Sequence, residues 1–277
     1  MNRKLTPKGF AVVYSILGVA TMFVLVPVFW MISTSLKAED EVFRSPPQWV
    51  PTNLTFEAFV RIWTDYPMLQ YIGNSMLVVI VATLISLIFS TLAGFGASRF
   101  KFPGKGAFLV FLLMTQMFPS IMLLIPFYKI LSSYDLINTY TGLVLTYISF
   151  TIPFCSWMMM GYFNTIPKEL DQAAAIDGCS RFRTFWQIIL PLTIPGIAST
   201  AIYAFIIGWN EYMFALTLMS DENLKTLPVG IGQMIGMYRI LWNDLMAASL
   251  ISSVPLIIIF LFLQKYLING LTAGAVK

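Results

Sequence analysis

The sequence predicts an all-helical membrane protein with six transmembrane helices and both chain ends in the cytoplasm. Three observations predict it. Of 277 residues, 58% are hydrophobic and only 11% are charged, with mean hydropathy +0.78; soluble domains carry about 25% charged residues. Six separate apolar runs each supply the roughly 20 helical residues that a hydrocarbon core of about 30 Å requires. The basic residues gather at the ends of those runs and divide unequally between the two sides.

The first run, Phe10–Ser33, follows the basic "MNRKLTPK". It is longer than the apolar core of a signal peptide and no small-residue cleavage site follows, so it reads as a retained span. The second is Ile72–Ala97, the third Ala107–Leu131 and the fourth Thr139–Phe163. Pro119 and Pro126 interrupt the third and Pro153 the fourth; each is expected to kink a continuous span, since neighbours can satisfy freed backbone groups. The fifth run is Ile194–Met219 and the sixth Leu245–Ile268. These limits divide the chain into 1–71, a first helix with an extracytoplasmic segment; 72–268, a transmembrane core with a cytoplasmic loop at 164–193; and 269–277, a cytoplasmic tail.

Charge sets the orientation. With both ends inside, Arg3, Lys4, Lys8, Arg99, Lys101, Lys105, Lys168, Arg181, Arg183, Lys265 and Lys277 face the cytoplasm. Only Lys37, Arg44, Arg61, Lys129, Lys225 and Arg239 face outward. Acidic residues are biased the other way, with Glu211 alone inside a span. The bias matches the positive-inside rule. The net charge of +4 forms no stripe of the kind that binds nucleic acid, so no nucleic-acid partner is expected, and lipid is the solvent. Cys155 and Cys179 define neither a disulfide framework nor a metal spacing. The chain has no histidine, which excludes Ser-His hydrolysis, H-E-x-x-H metalloproteases and histidine metal sites. An intramembrane aspartyl protease would need two acids in the spans, and Glu211 stands alone.

The cytoplasmic stretch "DQAAAIDGCSRFRTFWQIILPLTIPGI" is the least membrane-like part of the core. Pro167 marks a first helical turn, and Glu169 and Asp171 suit the positive end of a helix dipole. Ala173, Ala174 and Ala175 are strong helix formers. Gly178 is placed to end the helix as its C′ residue, and Ser180 to cap a second one. In that second helix Phe182, Phe185, Trp186 and Ile189 share one apolar face, which packs on the chain's own spans or lies at the lipid interface. Pro191 and Pro195 deflect the chain into the fifth span. The alanines allow close approach by another surface, or simply make a helix.

At these residues the chain resembles a known family. Gln172-Ala173-Ala174-Ala175-Ile176-Asp177-Gly178, nine further residues, then Ile188-Ile189-Leu190-Pro191 is similar to the E-A-A-x-x-D-G…I-x-L-P loop of permease subunits in binding-protein-dependent ABC importers. Gln172 stands where that family usually has Glu. "NTYTGLVLTYISFTIPFCSWMMMGYFNTIPKEL" resembles the fourth span and its exit in the carbohydrate branch of that family, "GWNEYMFALTLM" resembles the branch's W-N-[ED]-[FY] stretch, and "LINGLTAGAVK" resembles the tail of the smaller permease of maltose and multiple-sugar importers. The resemblance implies the type I ABC importer permease fold in a bacterial plasma membrane. It implies a second permease as partner, a cytoplasmic P-loop ATPase dimer and an extracytoplasmic solute-binding protein. The ATPase would dock on Asp171, Gln172, Ala173, Ala174, Asp177, Gly178 and Arg181. The tail would also reach it through Thr272, Ala273, Gly274 and Lys277. The loop bearing Pro228, Gly230, Gly232 and Gln233 would meet the binding protein. In maltose importers, sugar contacts belong mainly to the other permease.

The residues themselves leave some choices open. Gly230, Gly232 and Gly236 suit tight bends, an inserting loop or a plain connector. The chain has no G-x-x-x-x-G-K-[ST]; Arg99 lies where Gly104-Lys105 would need a glycine. The chain is therefore expected to be no enzyme and to bind no cofactor, with ATP and Mg used by the partner ATPase. Trp209, Asn210, Glu211 and Gln116 are candidates for a solute path or a switch between helices, or for structural hydrogen bonds. Asn74 reads in the same two ways. Tyr147, Trp157, Tyr162, Tyr203 and Tyr212 could serve a sugar path or an interfacial belt. A permease for a non-sugar solute is the alternative, and an ion-coupled transporter built on Glu211 the rival class.

Overall fold

The structure is a computed structural model. It describes the backbone over residues 7–236 and 240–273, and side chains over 9–236 and 240–265. Twelve helices organise the described residues: α1 (Pro7–Ser35), α2 (Glu57–Thr64), α3 (Met68–Arg99), α4 (Lys105–Met117), α5 (Leu124–Ser133), α6 (Tyr140–Thr165), α7 (Glu169–Ile176), α8 (Arg181–Leu192), α9 (Ile194–Trp209), α10 (Met213–Leu218), α11 (Leu227–Gln233) and α12 (Trp242–Ala273). Short helical turns lie at Glu39–Val42, Ser120–Leu123 and Glu222–Leu224. The chain forms two compact units, 1–68 with 231–253, and 69–230 with 254–277.

In the first unit, the long apolar stretch of α1 is not buried against the rest of the chain, as expected of a lipid-facing helix, while Ser33, Thr34 and Ser35 at its end are buried. The segment after it is ordered by polar contacts. Lys37 donates to the Gln48 carbonyl at 2.5 Å and sits 4.4 Å from the centre of the Trp30 ring. Ser33 donates to the Trp49 carbonyl, and Thr52 to Glu41. Arg61 of α2 grips buried Asp244 of α12 with a forked contact, Nη2 to Oδ1 at 2.6 Å and Nε at 3.1 Å. Ile235 and Ile240 form an isolated antiparallel bridge.

In the second unit, α3 and α6 are long enough to cross a membrane, as are α1 and α12. Thr139 caps α6 by accepting from the Gly142 amide. Pro153 lies within α6 and does not end it. The third predicted span needs correction. Pro119 does not kink a continuous helix there; α4 stops at Met117, and the chain turns by 95° before Ser120–Ser133. A proline disfavours helical backbone at the residue before it, and Phe118 is extended. Pro126 lies in the first turn of α5, where a missing amide costs nothing. The fifth span is likewise broken: α9 ends at Trp209, and α10 begins at Met213. Pro191 and Pro195 deflect the chain as expected, with 72° between α8 and α9. Among the described residues, four helices therefore meet the length and hydropathy of a span, or six if each bent pair counts as one.

Candidate functional site

The 164–193 loop folds locally as its sequence dictates. Gly178 takes φ +77°, which a Cβ would disfavour. Its amide bonds the Ala175 carbonyl, and the Cys179 amide bonds that of Ala174. This is a Schellman ending of α7. Ser180 accepts from the Arg183 amide and caps α8.

The orientation of α7 was not visible in the sequence. Ala174 is buried, only 2% exposed, against this chain's own residues, whereas Ile176 is 87% exposed. Gln172, Ala173, Asp177, Gly178 and Arg181 are also exposed. Ala174 is thus corrected from a partner-facing residue to an internal one. The outward apolar projection comes from Ile176 with Leu170. The shared face expected for α8 also divides. Phe185 and Ile189 are buried with Met159, Phe163 and Ile166, and Phe95 of α3 meets Phe185 at 4.6 Å and Phe163 at 5.4 Å. Phe182 is 74% exposed, and Trp186 is half-exposed. A π-helical turn at Phe185–Ile189 changes the register between the exposed and buried rings.

Arg99, at the end of α3, was not singled out by sequence. Its side chain is nearly buried and forms an ion pair with Asp171 of α7 at 3.0 Å. Its Nη1 donates to the Phe163 carbonyl at 2.9 Å, and Nη2 to Ile166 at 3.1 Å. It therefore ties two spans to the first turn of α7. Asp171 is held inward by this pair. Beside it lies a cavity of about 500 Å³ lined by Lys101, Lys168 and Arg181 together with Gln172 and Cys179. Arg181 also stands 5.6 Å from the centre of the Phe100 ring.

A second cavity of about 480 Å³ brings Gln116 and Glu211 together with Ser149, Phe150, Tyr203 and Phe214. The break between α9 and α10 presents Glu211 to it. The carboxylate accepts from the Phe214 and Ala215 amides at 2.8 and 2.9 Å, capping α10, and from the Tyr147 hydroxyl at 3.1 Å. Gln116 donates to the Phe150 carbonyl. The other two candidates lie elsewhere. Trp209 is buried and stacked on Phe205, and Asn210 bonds the Ile206 carbonyl of its own helix. Asn74 is structural: it donates to the Asn223 and Lys225 carbonyls and accepts from Tyr140.

In the segment before α12, Gly230 and Gly232 lie within α11 and make no tight bend. Gly230 is buried, and a Cβ there would overlap the Tyr71 ring. Its need is close packing, which removes it from the surface open to a partner. Gln233 is exposed, and Pro228 and Gly232 are partly so. Of the tail, Thr272 and Ala273 lie in the backbone of α12, with side chains outside the described residues; Gly274 and Lys277 lie wholly outside them.

Among the described residues, four long apolar helices and two bent apolar pairs have the make-up of a multi-pass membrane protein. The profile of the family described as "Binding-protein-dependent transport system inner membrane component" matches residues 89–272, and the chain belongs to that family. It is 42% identical to a trehalose/maltose transport system permease protein of Thermococcus litoralis, covering 91% of each chain. It is 34% identical to a diacetylchitobiose uptake system permease protein of Streptomyces coelicolor, again over 91% of each. Its fold, the type I ABC importer permease fold, matches a chain of a bacterial ABC transporter involved in the import of the acidic polysaccharide alginate. The TM-score is 0.79 at 22% identity, over 96% of this chain and 99% of that one.

Proposed function

We propose that this chain is one of two permease subunits of an ATP-driven importer for a sugar or oligosaccharide, crossing the plasma membrane six times with both ends inside. The observation that carries the coupling role is the exposure of Ile176 and Phe182 on a short polar-flanked segment, which Arg99 fixes rigidly to two spans. A large apolar side chain left in water gains by burial. A cleft in a cytoplasmic P-loop ATPase would cover it, with acidic groups facing Lys101, Lys168 and Arg181. Closure of an ATPase dimer, using its own ATP and Mg, then moves α7 as a unit, and α3 and α6 with it. Gln172 enters this contact as a neutral hydrogen-bonding group. The tail around Thr272, Ala273, Gly274 and Lys277 is a further ATPase contact in this reading. Gln233, with Pro228 and Gly232, is the contact for the solute-binding protein. The relatives' sugar substrates support the substrate class, and a non-sugar solute is the alternative.

The test is a site-specific crosslink from Ile176→Cys in membranes of cells carrying the whole importer, with Cys155 and Cys179 changed to serine. Capture of a P-loop ATPase is the expected result. Capture of none, while uptake remains active, would overturn the docking role.

A further inference from the structure

We infer that the cavity beside α7 holds the phosphate group of an acidic phospholipid of the cytoplasmic leaflet, gripped by Lys101, Lys168 and Arg181. The inference deepens the proposed docking role and rests on its orientation, with α7 inside the cell.

The cavity of about 500 Å³ is lined by Arg99, Lys101, Lys168 and Arg181, with Asp171 the one carboxylate among its described lining residues. Four cations therefore meet one acid, and that acid is taken: Asp171 pairs with Arg99 at 3.0 Å. Arg99 is committed as well, through Nη1 to the Phe163 carbonyl and Nη2 to that of Ile166. Among the described residues, Lys101, Lys168 and Arg181 form no ion pair. Gln172 adds an amide donor to the lining. These groups come from separate places: Lys101 follows α3, Lys168 precedes α7, Gln172 lies within it and Arg181 opens α8. The fold thus gathers like charges, which repel one another, and supplies no counter-charge. A phosphate group completes such a site, because its several oxygens accept from a guanidinium and from ammonium groups at once.

The cavity lies to one side of the apolar surface offered to the ATPase. Lys168, Asp171, Gln172 and Ala175 recur at i, i+3, i+4 and i+7 and line it, whereas the outward-projecting Ile176 and Phe182 do not. A phosphodiester carries one negative charge, so the lining stays positive around it and ATPase carboxylates still find a cation there. Its place in the fold selects a lipid over a water-borne anion. The helix α3 is long and apolar enough to cross a membrane and ends at Arg99, so Lys101 stands where hydrocarbon gives way to headgroups. Phe95 and Phe100 supply the apolar part of the lining. Phe100 and Phe102 are 39% and 40% exposed, as suits aromatic rings at a membrane interface. Basic pockets at this depth on the cytoplasmic side take acidic lipid headgroups.

The experiment uses Cys179, which lines the cavity, as the reporter, with Cys155 changed to serine. The complete importer is reconstituted in nanodiscs of phosphatidylcholine, alone or with phosphatidylglycerol, and labelling by uncharged N-ethylmaleimide is timed. Phosphatidylglycerol should slow the labelling about tenfold. Lys101→Gln, Lys168→Gln and Arg181→Gln together should abolish that protection, and Lys101→Arg with Lys168→Arg should retain it. Inorganic phosphate at matched ionic strength should give no protection in phosphatidylcholine. Equal labelling in the two bilayers, or protection that survives the triple glutamine variant, would overturn the inference. Protection by inorganic phosphate in phosphatidylcholine would overturn the lipid source in favour of a soluble phosphate anion. If Cys179 is closed to the reagent in both bilayers, the phosphatidylglycerol retained by the purified importer, counted by mass spectrometry, decides. The triple variant should then hold less than the parent, and an equal amount would overturn the inference. Solute-stimulated ATP hydrolysis is measured on the same nanodiscs: its presence keeps the permease reading whatever Cys179 reports, and its absence from the parent importer in both bilayers would count against that reading.

Discussion

Arg99 shows how one side chain can join elements that the sequence separates by dozens of residues. It neutralises Asp171 and satisfies two carbonyls at the end of α6, where helix ends otherwise leave acceptors unpaired. Removing one partner of a buried charged contact costs several kcal/mol; Asp171 is partly exposed, so we expect about 2 kcal/mol for Arg99→Met after allowing for screening. Proteolysis within 164–180 should rise in membranes, and uptake should fall about tenfold. Asp171→Asn should cost less, because the carbonyl contacts survive, and the double variant should resemble Arg99→Met alone. Gly230 is the second such residue. Gly230→Ala would force a methyl into the Tyr71 ring, and overpacking of this kind costs about 1–3 kcal/mol. The thermal unfolding midpoint in detergent should drop, and the drop caused by Gly230→Ala should be smaller when it is introduced into a Tyr71→Ala background. The sequence shows neither of these roles, because each residue acts through a contact distant along the chain.

At the scale of the element, α7 and α8 were legible in their ends and not in their facing. Gly178 and Ser180 were readable because caps are local: a left-handed residue and a side-chain acceptor act within a few positions. Which alanine faces inward depends on Arg99, Asp171 and the aromatic cluster around Phe95, and these are long-range. The same reasoning explains the broken spans. Hydropathy measures apolar length, and it does not distinguish a straight helix from two helices meeting at 95°. Proline signals a local interruption whose angle is set by packing. A sharp contrast follows for α7. Ala174→Trp should lower the amount of folded protein in the membrane, since the site is closed. Ile176→Asp should leave that amount unchanged and reduce both uptake and the solute-stimulated ATPase rate at least tenfold. Equal effects of the two on abundance, measured by immunoblot of washed membranes, would contradict the assigned orientation.

At the scale of the whole molecule, composition alone made the membrane class legible, and the distribution of basic residues supplied an orientation that helices in isolation do not. With both ends inside, Lys101 and Lys168 lie in the cytoplasm, and Glu57 lies outside. An impermeant thiol reagent applied to intact cells should label Glu57→Cys and leave Lys101→Cys unlabelled until the cells are opened; the reverse pattern would invert the orientation. The energy source follows from the same whole-chain inventory. A proton-coupled carrier needs ionisable groups along its path, whereas the predicted spans contain Glu211 as their one acid. That acid is held by two amides and the Tyr147 hydroxyl as the cap of α10. Such a carboxylate is committed to holding its helix, which suits a fixed structural element better than a proton carrier. Uptake should therefore stop when ATP is depleted and persist when an uncoupler collapses the proton gradient at constant ATP. Persistence without ATP would return Glu211 to the role of a coupling acid.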